Sequence, residues 1–228
     1  MAIQAILWDV DGTLLDFSAA EKAAVQKLFG EFDLGPCPDA TVARYSAIST
    51  GYWKKLERGE VTKEQVLICR FRDFFAELGI DPALAEPFNA RYQVSLGDTV
   101  VYRDDSLEIV KALHGRVKQY VVSNGTVIAQ SKKLRVSHLG EWMDGVFLSE
   151  ELGAVKPSPA FFERVFAALP DVRKEDMLIV GDSLTSDMKG GLLAGIPTCW
   201  YNPQSLPRPA DMAIAFEIQN LQQVYDLL

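Results

Sequence analysis

The stretch ILWDVDGTLLDF, residues 6–17, rises through an apolar run and then sets two carboxylates, Asp9 and Asp11, one residue apart ahead of a Gly-Thr turn. Ala5 to Trp8 reads as a buried strand. If its direction persists, the two acids share one face about 6.6 Å apart. At an effective dielectric of about 20 they repel by roughly 2.5 kcal/mol. Such a pair tends to hold a proton or recruit a cation, and an enzyme can use either outcome. The plainer reading makes Asp11-Gly12 a turn signal and Asp9 a solvated strand end. Only the rest of the chain separates the two.

With 228 residues, 48% of them apolar, the chain has material for one large domain or a domain with an inserted partner. A net charge of −8 argues against a nucleic-acid polymer or an anionic membrane as the main partner, while leaving room for a local basic pocket that takes a small phosphate. The first residues lack a basic segment followed by a long apolar one, and no apolar run approaches about 18 residues. Neither a signal peptide nor a membrane span is expected, and a cytoplasmic location is. Cys37, Cys69 and Cys199 are odd in number and widely spaced, which suits reduced, mostly buried thiols rather than disulfides or a zinc site. His114 and His138 read as helix-end or surface residues.

Short apolar runs recur at Ala5–Trp8, Tyr120–Val122, Val146–Leu148, Met177–Val180 and Thr198–Trp200, each followed by a polar or glycine-containing loop and most by a helical pattern. That alternation predicts an α/β fold, a Rossmann-like parallel sheet covered on both faces. Residues 16–96 break it with four helical segments. The first opens on Ser18-Ala-Ala-Glu21 and the third on Thr62-Lys-Glu-Gln65, both capping-box patterns. The second runs from about Asp39 to Arg58, and the fourth starts near Pro82. The third presents Leu67, Phe71, Phe74, Phe75 and Leu78. The expectation is a catalytic core of residues 1–15 and 97–228 carrying an inserted four-helix cap, 16–96. Leaving directly after Asp11, that cap reads as a lid over the carboxyl end of the first strand, where ligands bind in open parallel sheets.

The ends of the other strands carry polar groups. Ser123-Asn124-Gly125 has the composition of an anion cradle, a hydroxyl plus backbone N–H groups, or of a plain helix cap. Lys156 precedes the N-cap pair Ser158-Pro159, where a helix dipole disfavours a cation. It reads either as a cation awaiting an anion or as a solvated loop lysine. Asp182 and Asp187 flank a turn into a helix, where acids are also common for structural reasons. In a parallel sheet all these positions fall on one edge. Together they make a site for a divalent cation bridging to phosphate, and the all-oxygen donor set points to Mg²⁺.

DVDGT at 9–13, VVSNG at 121–125, VKPSP at 155–159 and GDSLTSD at 181–187 resemble the four ordered motifs of the haloacid dehalogenase superfamily, in its phosphatase branch. The resemblance implies that Asp9 attacks phosphorus to form an aspartyl-phosphate, while Asp11 protonates the leaving oxygen and later deprotonates water. It implies Mg²⁺ on Asp9, the backbone carbonyl of Asp11 and Asp182, with Asp187 orienting the lysine or the metal's waters. Ser123 and the N–H of Asn124 would hold phosphoryl oxygens, and Lys156 would neutralise charge. A 2-haloacid dehalogenase, by the same resemblance, lacks an acid at the Asp11 position, so Asp11 weighs against that activity.

The run YWKKLERGEVTKEQVLICRFRDFF at 52–75 and the tail GGLLAGIPTCWYNP at 190–203 resemble the pyrimidine 5'-nucleotidase subgroup. The implied substrate is a small phosphomonoester, a (deoxy)pyrimidine nucleoside monophosphate. N-acylneuraminate-9-phosphatases share much of the pattern, and a phosphoglycolate phosphatase is a further alternative. Phe17, Tyr52 and Trp53 can stack on a base or simply fill a helical core. At about 100° per residue Arg70 flanks the apolar stripe of its helix and can reach over the site, whereas Arg72 points mostly away.

Overall fold

The computed structural model describes residues 3–228. Ala5–Trp8 form β1, and all four residues are buried, as a strand covered on both sides of its pleat requires. Four helices follow, α1 (Phe17–Glu31), α2 (Asp39–Glu57), α3 (Lys63–Leu78) and α4 (Ala85–Ser95). Next come α5 (Ser106–Leu113), β2 (Lys118–Ser123), α6 (Val127–Val136), β3 (Gly145–Leu148), α7 (Ser149–Leu152) and α8 (Pro159–Ala168). The chain closes with β4 (Met177–Gly181), α9 (Lys189–Ala194), β5 (Thr198–Tyr201) and β6 (Phe216–Ile218).

The six strands form one sheet in the order β3-β2-β1-β4-β5-β6, parallel throughout. The order reverses at β1, so the loops leaving β2, β1 and β4 share one edge at the point where such sheets bind ligands. Five strands match the expected runs. The sixth, Phe216-Glu217-Ile218, is a three-residue edge strand with an exposed centre, too short to announce itself. Beneath the sheet, Phe161, Phe162 and Val165 of α8 are fully buried against Leu7, Val122 and Ile179. Each such side chain contributes roughly 1.5–3 kcal/mol.

The chain divides into two compact units, one of the residues up to Asp16 with Val101–Leu228, the other Phe17–Val100. In the first, the outgoing and returning segments pair. The Asp16 N–H donates to the Val101 carbonyl at 2.8 Å and the Arg103 N–H to the Leu14 carbonyl at 3.1 Å.

The helical unit is built on aromatic rings. Tyr45 stacks on Phe71 with centroids 4.8 Å apart, and Phe75 meets Phe88 edge-on at 5.1 Å. The capping box of α3 forms: Thr62 Oγ1 accepts from the Gln65 N–H, and Gln65 Oε1 accepts from the Thr62 N–H. The expected one at Ser18 does not. Ser18 lies inside α1, and Glu21 turns inward to accept from the hydroxyls of Ser46 and Tyr92. The stripe of α3 also differs from expectation. Leu78 is exposed and Leu67 half-buried, while Val66 and Arg70 join Phe71, Phe74 and Phe75 inside. Among the described residues no helix is long and apolar enough to cross a membrane.

Candidate active site

The ladder of β1 extends one residue past the strand, the Asp9 N–H donating to the Val180 carbonyl at 2.9 Å. The chain then turns, with the Thr13 and Leu15 N–H groups both donating to the Val10 carbonyl. The extended geometry expected to carry Asp9 and Asp11 on one face therefore ends at Asp9, and the two carboxylates take different partners. Asp9 is 7% exposed. Its Oδ1 accepts from Lys156 Nζ at 2.9 Å and its Oδ2 from Thr13 Oγ1 at 3.2 Å.

Lys156 is 1% exposed, so the solvated-loop reading does not hold. Nor does the ammonium await an anion. It already donates to Asp9, to Asp187 Oδ1 at 2.6 Å and to the Val122 carbonyl at 2.7 Å. Burial works against its charge, yet the Asp187 and Asp9 carboxylates hold it well above the usual lysine range. Its backbone is fixed by a reciprocal clamp: the Lys156 N–H donates to Asn124 Oδ1 at 2.8 Å, and Asn124 Nδ2 donates to the Lys156 carbonyl at 2.9 Å. Asn124 thus locks the loop after β2 to the lysine. Ser123, at the end of β2, is buried and its Oγ accepts from the Gly125 N–H at 3.0 Å, which leaves the hydroxyl proton to point elsewhere.

Asp187 sits on a single π-helical turn, Leu184–Met188, a local widening common at functional sites. Its Oδ2 accepts from the Ser183 N–H at 3.1 Å while Oδ1 holds Lys156. Asp182 is exposed at its surface but closely surrounded, and desolvation followed by the Asp187 charge pushes its carboxyl up to about 7. Burial likewise raises the Asp9 carboxyl well above its ordinary range, against the pull of Lys156. Thr13 Oγ1 links the two loops, accepting from the Asp182 N–H at 3.1 Å. Its one hydrogen lies within reach of both Asp9 and Asp182. Sequence reading gave this fully buried threonine no role. Gly12, at φ +96°, is required here twice over, since a Cβ would fall 2.5 Å from Asp182 Oδ2.

Asp9, Asp182 and Asp187 each bring a carboxylate oxygen within 4.8 Å of the others. Three acids face one ammonium, and desolvation penalises the charge of Asp9 and Asp182, so this donor set fits a hard divalent cation. The Asp11 side chain is not in the cluster. It turns to α6, where Gln130 Nε2 donates to Oδ2 at 2.5 Å and Lys133 Nζ to Oδ1. Both partners escaped sequence reading, because a helix position three residues from another says nothing about which loop it faces.

Phe17, Trp53 and Arg70 lie in the helical unit, the first two half-buried. Arg70 is 1% exposed rather than flanking the stripe. Its guanidinium donates to Ser49 Oγ and Asn89 Oδ1, both at 3.3 Å, and lies 5.0–6.0 Å from the ring centroids of Phe71, Tyr92, Tyr45 and Trp53. All three cysteines are free, but only Cys199 is buried, so Cys37 and Cys69 depart from the expected burial. His114 and His138 are exposed near helix ends, as expected.

These features meet known proteins over most of the chain. The Bacillus subtilis protein YfnB, named as a HAD-hydrolase, is 36% identical over 225 residues, covering 98% of this chain and 94% of its own. Its crystal structure, described as bound to magnesium, superposes with a TM-score of 0.91 and covers 100% of this chain and 99% of that one. Pyrimidine 5'-nucleotidase PynA of Streptococcus pneumoniae is 32% identical over 226 residues, 98% of this chain and 94% of its own. The L-2-haloacid dehalogenase of Xanthobacter autotrophicus has a TM-score of 0.77 at 17% identity, covering 99% of this chain and 98% of that one, a likeness of fold alone. Residues 3–195 match the family described as haloacid dehalogenase-like hydrolase, a span that holds all four loops assembled around Asp9, and the chain belongs to that family.

Proposed function

We propose that this hydrolase is a Mg²⁺-dependent phosphomonoesterase that works through an aspartyl-phosphate on Asp9. Its proposed substrates are (deoxy)pyrimidine nucleoside 5'-monophosphates. The observation that carries the reading is the setting of Asp9, a buried carboxylate fixed by Lys156 and Thr13 within 4.8 Å of the acid oxygens of Asp182 and Asp187. A cation held by these three side chains and the Asp11 carbonyl would supply the positive charge that keeps Asp9 ionised and offsets the phosphoryl oxygens.

The chain's own residues do the rest. An Asp9 oxygen attacks phosphorus as the bond to the leaving oxygen breaks, and Asp11 gives that oxygen its proton. Water then attacks the phosphoenzyme, passes a proton to Asp11 and restores Asp9 as phosphate departs. The Ser123 hydroxyl and the N–H of Asn124 hold the phosphoryl oxygens through both steps, the Gly125 N–H fixes the Ser123 hydroxyl, and Lys156, its protons already shared among Asp9, Asp187 and the Val122 carbonyl, offsets charge beside Asp9. This is positioning plus electrostatic stabilisation of a loose transition state.

The likeness to PynA over nearly the whole chain supports the nucleotide assignment. Phe17, Trp53 and Arg70 are the proposed residues for the nucleoside. Arg70 supports this best, as a buried cation whose partners among the described residues are neutral acceptors and rings, none of them hydrogen-bonded to Nε. A phosphate-release screen over nucleotides, phosphoglycolate and sugar phosphates, with Mg²⁺ and with excess chelator, tests the proposal. Release from nucleotides in Mg²⁺ alone is expected. Preference for N-acetylneuraminate 9-phosphate or phosphoglycolate would replace the substrate, and full activity in chelator would overturn the metal.

A further inference from the structure

Asp11 is clamped from one side. Gln130 and Lys133, three apart on α6 and so on one helix face, both donate to its carboxylate, one to each oxygen. Gln130 is 0% and Lys133 2% exposed, so neither side chain is a surface group that happens to lie near an acid. Among the described residues the Gln130 carbonyl oxygen finds no hydrogen-bond partner. A buried amide left half-satisfied costs stability, and what it gains here is the bond to Asp11. Space is kept for it as well, since a Cβ on Gly125 would fall 2.3 Å from Gln130 Nε2. Helix α6 follows directly on Ser123-Asn124-Gly125, with Thr126 as its cap. One rigid element therefore carries the proposed phosphoryl cradle at its start and the grip on Asp11 one to two turns on.

We infer that Gln130 and Lys133 are positioning residues for Asp11, setting the carboxyl that protonates the leaving oxygen and takes the proton from water. The inference rests on the acid–base role given to Asp11 above. A merely structural ion pair would weaken all substrates alike. A positioning pair weakens only steps that need Asp11, and only while Asp11 is present.

The experiment is a double-mutant cycle read on two leaving groups, with the best alkyl phosphate from the screen and p-nitrophenyl phosphate as probes. Lys133→Met and Gln130→Leu are expected to slow alkyl ester cleavage by about 10- to 100-fold, the scale of a misplaced reacting group. The first-turnover burst of p-nitrophenolate should persist, because that leaving group needs no proton. Combined with Asp11→Asn, either change should add no more than about twofold. Lys133→Arg, which keeps a cation, should recover part of the loss. Should Lys133→Met fail to fold, Gln130→Leu carries the cycle, since it buries no charge. Equal losses on both esters in the rate of the first turnover, or losses that multiply with that of Asp11→Asn, would overturn the inference while leaving the role of Asp11 intact. Asp11→Asn with no leaving-group dependence would overturn that role, and the inference with it.

Discussion

The ammonium of Lys156 lies 2.9 Å from Oδ1 of Asp9, and both groups are buried. The same ammonium reaches Asp187 and the Val122 carbonyl, three acceptors in three directions. Lys156→Met should cut kcat by about 10²- to 10³-fold. It should also lower stability by roughly 3–5 kcal/mol, because buried carboxylates lose their partner. Lys156→Arg should rescue little, since a planar fork does not match that arrangement. Steady-state kinetics with denaturant titrations check both effects. A Lys156→Met enzyme of normal stability would show that the pairing is not what holds these loops.

If the acid cluster takes the proposed cation, binding is a matter of stability as well as rate. Mg²⁺ should raise the melting temperature, by the equivalent of about 2.7 kcal/mol at a hundred times its Kd. Asp182→Asn should remove most of that response while leaving the contacts of Lys156 in place. Thermal melts with Mg²⁺ and with chelator measure this. Equal Mg²⁺ responses in the two proteins would place the cation elsewhere.

Arg70→Met tests specificity. If the guanidinium selects the nucleoside, KM for dUMP or UMP should rise at least about tenfold, the loss of one charge-assisted hydrogen bond. Turnover of p-nitrophenyl phosphate should hardly change. A parallel loss on both substrates with a lowered melting temperature would assign Arg70 to packing of the aromatic core.

Burial pushes the Cys199 thiol up to about 12 and Tyr45 to about 12. Both groups ionise more readily in the unfolded chain, so above about pH 9 unfolding releases protons and stability falls as pH rises. Cys199→Ala should flatten part of that alkaline slope. In native protein at pH 8, Cys37 and Cys69 should alkylate well before Cys199, as peptide mapping after timed labelling will show. Rapid labelling of Cys199 would contradict its burial.

Strands made of unbroken apolar runs, such as Ala5–Trp8 and Met177–Gly181, were legible because burial on both faces leaves a composition signal. Asp9, Ser123, Lys156, Asp182 and Asp187 were legible because parallel topology turns strand ends into neighbours. Side-chain direction was not legible. The turn at Val10 sends Asp11 away from the Asp9 cluster toward Gln130 and Lys133, and nothing in the local spacing encodes that choice. Thr13 was hidden for a related reason: its partner Asp182 lies far away in sequence. Arg70 shows that a charge beside an apolar stripe can belong to the buried face when hydroxyl, amide and ring partners are provided by other helices.

The central claim is that Asp9 takes the phosphoryl group and Asp11 handles the protons. The most direct measurement is acid quench of Asp11→Asn protein mixed rapidly with p-nitrophenyl phosphate and Mg²⁺, followed by peptide mass spectrometry. Aryl oxide needs no proton to leave, whereas water attack then lacks its base. The account predicts a burst of about one equivalent of p-nitrophenolate per enzyme, with the mass of one HPO₃ on the peptide that contains Asp9. Turnover by Asp9→Asn, or a folded, substrate-binding Asp11→Asn enzyme with neither burst nor adduct, would contradict it.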